Sequence, residues 1–312
     1  MELVDSFLKT RNLLENFTYE EKLKSFELLQ NHIFKKIALN EKFFIGRLSG
    51  NEPNLAGRLL SKIELDEYLM HEMLFTAGIQ FTNKDDIRKY GTLYTKSVMN
   101  CTSLGIWSGN MYIQAKPFYD FVEKISSDKE YVCAQALEPY YFMKEELYRF
   151  DEIFKNKKVL IITSHSETTK HQLKKENSFQ KPIFHNSTEL YVYKSAQQNA
   201  GNHDSNSWEY HFNIMKKDLQ NIKQNVFDFD IVLASCGGFG MILCDFLYSQ
   251  LNTSVLYVGG ALQLYFGIIG NRWKNNQNIV NLINEKWTNV LDIDKLDSLK
   301  INPQLCENSC YW

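Results

Sequence analysis

Short, mostly apolar runs that end in polar or glycine-rich turns recur along the chain. The clearest run, residues 229–235, leads into Cys236-Gly237-Gly238-Phe239-Gly240 and then a helical pattern from Met241 to Leu251. A second run, residues 254–258, ends in Gly259-Gly260. Continuous apolar runs are typical of strands covered on both faces, so these segments predict a βαβ unit with both glycine turns at one sheet edge.

Four earlier segments have the same pattern and predict strands over residues 42–48, 101–107, 131–135 and 157–163. Helical spacing of apolar residues instead predicts amphipathic helices over about 5–37 and 206–226. In the first of these helices Thr18 has the position of an N-cap.

Alternation of strands and helices predicts an α/β fold, namely a Rossmann-like, mostly parallel sheet flanked by helices. We assign residues 1–40 to a helical N-terminal extension packed on the main domain. Residues 41–312 then form the Rossmann-like domain. No long linker, charge block or internal repeat marks a firm boundary between the two.

Composition narrows the class of protein. The 312 residues are 44% hydrophobic, which is enough for a large core. A net charge of −2 gives no strong field for nucleic acid or anionic membranes. No signal peptide and no apolar run long enough for a membrane span are recognisable, so we expect a cytoplasmic protein. The six cysteines include no Cys-x-x-Cys pair, and we expect them to be reduced and mainly structural.

Polar residues follow four of the predicted strands, in segments 47–52, 164–168, 236–240 and 259–260. If these strands are parallel, their carboxyl ends meet at one crevice, where open α/β sheets bind their ligands. The glycine turn before a helix is typical of a phosphate site, because backbone N–H groups can approach an anion there. We therefore predict a nucleotide- or phosphate-binding site at this edge.

Glu52 and Arg47 flank the first strand exit. Glu52 is a candidate general base, metal ligand or acceptor for sugar hydroxyls, and Arg47 is a candidate for pairing with it or for holding a phosphate. A salt bridge at a helix start explains both residues equally well.

At the second exit Ser164 and Thr168 are candidates for binding phosphate, and His165 for acid or base catalysis. Ordinary helix capping and a structural histidine are the alternatives.

The last third of the chain holds the remaining candidates. Gly237, Gly238 and Gly260 are expected to bind the nucleotide through their backbone. Cys236 lies where a ligand or nucleophile site is expected, although packing is the favoured interpretation for a small buried thiol. Arg272 is a candidate for phosphate. The full Gly-x-Gly-x-x-Gly spacing is missing, so a nicotinamide or flavin role is not predicted.

Glu138 lies in the middle of the chain and is a further candidate, because its carboxylate could face an acceptor.

Residues 47–52, Arg-Leu-Ser-Gly-Asn-Glu, resemble the Arg-Phe-Gly-Asp-Gly-Glu strand exit of the GT-D type glycosyltransferases. Segments 159–172 and 230–260 resemble two further parts of that family. Residues 257–268, Arg272-Trp273 and the ending 307–312 are similar to uncharacterised proteins of bacteria and large DNA viruses that share the fold. The resemblance spans most of the chain from residue 42 onward.

This resemblance implies a glycosyltransferase that moves a sugar from a UDP- or GDP-sugar to a glycan hydroxyl. The family's Asp-x-Glu motif is Gly50-Asn51-Glu52 here, so Gly50 and Asn51 would contact the donor and only Glu52 keeps its carboxylate. One carboxylate is a poor Mg²⁺ or Mn²⁺ site, and we predict no metal site.

A non-catalytic Rossmann-like protein that binds a nucleotide or sugar is the alternative. A methyltransferase or sulfotransferase also suits the fold, but no donor motif for either is recognisable. A homodimer is compatible with the sequence, which does not determine the oligomeric state.

Overall fold

The computed structural model describes residues 13–125, 129–175, 179, 181–202, 204–302, 304, 306 and 309–312. The predicted start of the N-terminal helix, residues 5–12, lies outside these ranges, as do Glu307 and Asn308 of the C-terminal motif. No helix within the described ranges has the length and apolar character needed to cross a membrane.

A parallel sheet of seven strands forms the centre of the described structure. Its strands are β1 (Phe44–Arg47), β2 (Ser103–Ile106), β3 (Glu130–Cys133), β4 (Lys158–Thr163), β5 (Glu189–Lys194), β6 (Ile231–Ser235) and β7 (Ser254–Tyr257). They lie in the order β3-β2-β1-β7-β6-β4-β5, and every neighbouring pair is parallel. Two short strands, β8 (Ile268–Ile269) and β9 (Thr288–Asn289), pair separately.

The described α-helices are α1 (Tyr19–Ala38), α2 (Asn51–Leu60), α3 (Glu67–Phe75), α4 (Lys84–Asn100), α5 (Asn110–Ile125), α6 (Ser166–Gln172), α7 (Trp208–Asn221), α8 (Phe239–Leu251), α9 (Gln277–Val280) and α10 (Asp297–Ile301). Short 3₁₀ segments follow β3 and β7, and a π-helical turn, Ile222–Val226, extends α7.

Both faces of the sheet are covered, because successive strand residues point to opposite sides. Leu160 and Ile162 of β4 pack in a core with α2–α5, α7 and α8. Val159 and Ile161 of the same strand pack in a second core with α1, residues 134–154 and the C-terminal segment 261–312. This two-sided burial explains why the central strands are continuous apolar runs.

The fold class predicted from the pattern is confirmed: the chain is α/β and Rossmann-like, with an N-terminal helix on one sheet face. Thr18 caps α1 through a capping box with Glu21. Segments 229–258 form the predicted βαβ unit, because β6, α8 and β7 are consecutive and β6 pairs with β7 in parallel. The observed strands are shorter than their apolar runs by up to three residues.

Candidate functional site

A cleft of about 1190 Å³ lies at the carboxyl edge of the sheet, where the exits of β1, β4, β6 and β7 meet. The predicted site residues that line it are Arg47, Gly50, Asn51, Glu52, Ser164, His165, Gly237, Gly260 and Arg272. Cys236, Gly238 and Thr168 do not line this cleft. The structure therefore brings together residues of four strand exits that lie up to 213 positions apart in the numbering, together with Arg272.

The strand order explains this position. After β4 the chain crosses to β5 by way of α6, which packs with the C-terminal segment on one face. After β6 it runs to β7 through α8 on the other face. The two connections leave neighbouring strands in opposite directions, and a crevice opens between their exits.

Arg47 is buried at the end of β1 and makes its ion pair with Glu138 rather than with Glu52. Its Nη1 donates to the carbonyl of Val258 at 2.5 Å, and its guanidinium lies 4.8 Å from the centroid of the Trp107 ring. Trp107 is itself held by a 2.7 Å bond from Nε1 to the carbonyl of Leu48. The predicted alternative of an Arg47–Glu52 pair is wrong, because the Arg47 guanidinium forms its ion pair with Glu138, which follows β3.

Glu52 lies in the first turn of α2 and is only 6% exposed. Its carboxylate accepts a hydrogen bond from the hydroxyl of Ser49. Burial raises the pKa of Glu52 above its ordinary value, and the Ser49 bond offsets this only in part. A carboxyl group with a raised pKa is better matched to accepting a proton near neutral pH than an exposed one.

His165 follows β4 and is 4% exposed, and its ring meets Trp312 edge to face with centroids 5.6 Å apart. Its Nε2 is buried and has no hydrogen-bond partner among the described residues. Burial lowers the pKa of His165 to about 4, and the nearby Asp294 opposes this shift. The imidazole is therefore neutral at pH 7, and its buried Nε2 has no hydrogen-bond partner among the described residues.

Thr168 is held within the protein rather than presented to a ligand. Its backbone N–H and hydroxyl both donate to Oδ2 of Asp294, at 2.6 and 2.8 Å. The hydroxyl in turn accepts from the N–H of Leu291 at 3.0 Å. A carboxylate of the C-terminal segment thus occupies the first turn of α6, where the sequence predicts a phosphate.

Other residues of the protein also pack against the glycine turn before α8. The N–H of Gly238 donates to the carbonyl of Ala77 at 2.8 Å, and a methyl group on Gly238 would overlap the Ile79 side chain. Gly237 has φ +52° and also lies against the Ala77 carbonyl, 2.7 Å from where its Cβ would be. These glycines allow the 77–79 segment to pack closely. The predicted anion contact at Gly238 is not available.

Cys236 is buried, and burial raises the pKa of its thiol to about 12. A thiol in this state is not a nucleophile at neutral pH. It lines a small side cavity next to the cleft.

Gly260 and Arg272 both pack against the Tyr311 ring. A methyl group on Gly260 would overlap the Tyr311 ring, so the glycine permits that packing. Arg272 is exposed on the cleft wall, stacks on the same ring at 4.6 Å and donates from Nη1 to its hydroxyl at 3.0 Å. Lys22 and Lys144 are two further cations of the cleft wall.

Aromatic and amide side chains make up much of the remaining wall. The aromatic group is Tyr19, Tyr68, Trp107, Tyr140, Tyr141, Phe142, Phe179, Tyr257, Trp273, Tyr311 and Trp312. The amides are Gln114, Gln135, Gln197, Asn199, Gln263, Asn276, Asn278, Asn281 and Asn284. Such a wall offers apolar ring faces and neutral hydrogen-bonding groups.

Trp107 and Asp294 were not selected as site residues, because each contacts a site residue that is distant in sequence. Trp312 was marked only as part of the C-terminal resemblance, and its contact with His165 was not predicted.

The implied divalent metal does not fit the donor set. Glu52 is the only carboxylate of the motif, and its carboxylate already accepts from Ser49. In the part of the chain that the structure describes, no group of three or more His, Cys, Asp or Glu side chains could hold a metal ion.

Comparisons of the chain with protein-family models, with curated proteins and with solved structures found no match.

Proposed function

We propose that the chain is a glycosyltransferase that moves a sugar from a nucleotide diphosphate donor to a hydroxyl of a glycan. The observation that carries this proposal is the cleft at the carboxyl edge, which joins a buried acidic residue, cations and an aromatic, amide-rich wall. The resemblance of residues 47–52 to the GT-D strand exit supports the same activity.

Transfer breaks the bond between the anomeric carbon and the diphosphate, which leaves with the electron pair. The acceptor oxygen forms the new bond to that carbon and loses its proton. Glu52 is the base for this proton, since burial raises its pKa and Glu52 lines the cleft.

The departing diphosphate needs positive charge. Arg272, Lys22 and Lys144 line the cleft, and Arg47 is buried in an ion pair with Glu138 at the end of β1. We assign the diphosphate to Arg272 and the two lysines, and we assign to Arg47 the fixing of the β1 exit. The neutral His165 suits a hydrogen bond to an uncharged sugar better than a contact with phosphate.

A second candidate is a sugar- or nucleotide-binding protein without catalysis. The occupied N-terminal turns of α6 and α8 favour its sugar-binding form over transfer from a nucleotide donor, because Asp294 and Ala77 take the N–H groups that such folds offer to phosphate.

The two functions separate in one experiment. Thermal stability is measured with UDP, GDP, UDP-sugars and GDP-sugars, with and without Mn²⁺, and donor hydrolysis is then followed for wild type, Glu52→Gln and the exposed control Glu64→Gln. We expect nucleotide sugars to stabilise all three proteins and Glu52→Gln alone to lose turnover, by about 10²-fold or more.

Full turnover in Glu52→Gln would remove Glu52 from the mechanism. Stabilisation by nucleotide sugars with no turnover on any acceptor would favour the binding protein.

A further inference from the structure

A small side cavity of about 30 Å³ adjoins the cleft between the exits of β4 and β6. Ser164, Asn199 and Gly237 line both spaces, so the cavity borders the cleft. Every residue of its wall is uncharged, including Gln198 and Cys236.

Gln198 is the distinctive member of this wall. Its side chain is 4% exposed, and neither its Oε1 nor its Nε2 has a hydrogen-bond partner among the described residues. The Oδ1 of Asn199 and the Oγ of Ser195 are likewise buried and without described partners. Chain packing holds the segment in place, since the N–H of Ala200 donates to the carbonyl of Phe75 at 2.7 Å.

A buried carboxamide without hydrogen bonds destabilises the fold, so an occupant with its own donor and acceptor is strongly favoured. The volume admits one group of about the size of a water molecule. An uncharged wall disfavours phosphate or carboxylate, because a buried anion there would have no countercharge. A hydroxyl group satisfies all three conditions, since it both donates and accepts.

We propose that the side cavity is a subsite for one hydroxyl of a sugar bound in the cleft, and that the Gln198 carboxamide recognises it. The assignment of that hydroxyl to a sugar rests on the proposed function. The carboxamide should then discriminate between sugars with and without this hydroxyl, because a site built to hydrogen-bond a hydroxyl rejects analogues that lack it. Loss of the carboxamide should abolish that discrimination.

The experiment measures dissociation constants by calorimetry for wild type, Gln198→Leu and the exposed control Gln220→Leu. Three ligand sets are compared: UDP and GDP alone, UDP- and GDP-sugars, and methyl glycosides. We expect Gln198→Leu to weaken the sugar-bearing ligands about ten-fold, while Gln220→Leu and the affinities for UDP and GDP stay unchanged. Weakening of the nucleotide sugars assigns the hydroxyl to the donor, and weakening of the methyl glycosides assigns it to the acceptor.

A second arm uses both wild type and Gln198→Leu and tests the deoxy analogues of each sugar that binds. One deoxy position should cost about ten-fold in wild type and nothing in Gln198→Leu, because the two changes remove the same hydrogen bond. Equal affinities of wild type and Gln198→Leu for every sugar-bearing ligand, or no sugar binding at all, would overturn the subsite and leave the cavity to water.

The test of the subsite and the test of the proposed transfer reaction can have different outcomes. Glycosides that bind through Gln198 in a protein that neither binds nor hydrolyses nucleotide sugars would keep the subsite and refute the proposed reaction.

Discussion

Glu52 and His165 are two buried titratable residues on the cleft wall, and burial favours the uncharged form of each. It raises the pKa of Glu52 and lowers that of His165 to about 4. Burial keeps the pKa values of Tyr90, Tyr94 and Tyr257 well above the ordinary one, and the negative charge of Glu52 adds to each shift. Tyr257 also lines the cleft, whereas Tyr90 and Tyr94 do not. Perturbed groups that face one cleft are typical of functional sites.

The raised pKa of Glu52 has a consequence for stability. A carboxyl with a higher pKa in the folded than in the unfolded chain stabilises the fold fully only below the unfolded pKa, near 4.5. That contribution is lost as the pH rises through the folded pKa. We therefore predict that Glu52→Gln unfolds at a higher denaturant concentration than wild type at pH 7 and above, and that the difference disappears towards pH 4.

Urea unfolding at several pH values measures this, with Glu64→Gln as the exposed control. A wild type that gains stability relative to Glu52→Gln as the pH rises would contradict the burial of Glu52.

At the scale of single residues, the strand-exit pattern was sufficient to select Arg47, Glu52, Ser164 and His165 as residues of one cleft. It was not sufficient to select their partners. Glu138 lies 91 positions from Arg47, and Asp294 lies 126 positions from Thr168. Such pairs depend on how the elements pack, and a single sequence holds no local signal for them.

At the scale of elements, two helix N-termini that sequence patterns assign to phosphate are capped by the protein itself. The packing of residues 77–79 on the turn before α8 requires a glycine at position 238, whereas Gly50 before α2 has ordinary room. Both glycines are N-cap residues. They therefore form a matched pair for separating packing from helix capping.

We predict that Gly238→Ala lowers the free energy of unfolding by about 1–3 kcal/mol, because its methyl group would overlap Ile79. Gly50→Ala should change it by less than about 1 kcal/mol, since its methyl group would lie 3.4 Å from Gln114 Oε1 and 3.6 Å from Met111 Cε. Chemical denaturation of the two variants checks this. Equal stabilities would show that the 77–79 segment does not pack on the α8 turn.

The elements themselves were predictable where they are buried on both sides. Strands β1, β2, β3, β4, β6 and β7 come from apolar runs, but β5 was not predicted. Its residues Glu189–Lys194 are exposed or only half-buried at the sheet edge, so they lack the continuous apolar pattern.

At the scale of the whole molecule, the cleft depends on a strand order that the sequence does not show. β1 lies between β2 and β7, and its neighbour β7 comes about 210 positions later. The C-terminal segment then returns to the same edge and places Trp312 against His165. Convergence of the four strand exits was inferred from parallel strands alone, and the observed sheet has them at one edge.

The most direct measurement is a crystal structure of the protein with a UDP- or GDP-sugar that stabilises it. We predict the ligand in the cleft, with its diphosphate near Arg272 and its anomeric carbon facing the Glu52 carboxylate with room for one acceptor hydroxyl between them. A nucleotide sugar bound elsewhere on the surface, or with its anomeric carbon turned away from Glu52, would contradict the proposed mechanism.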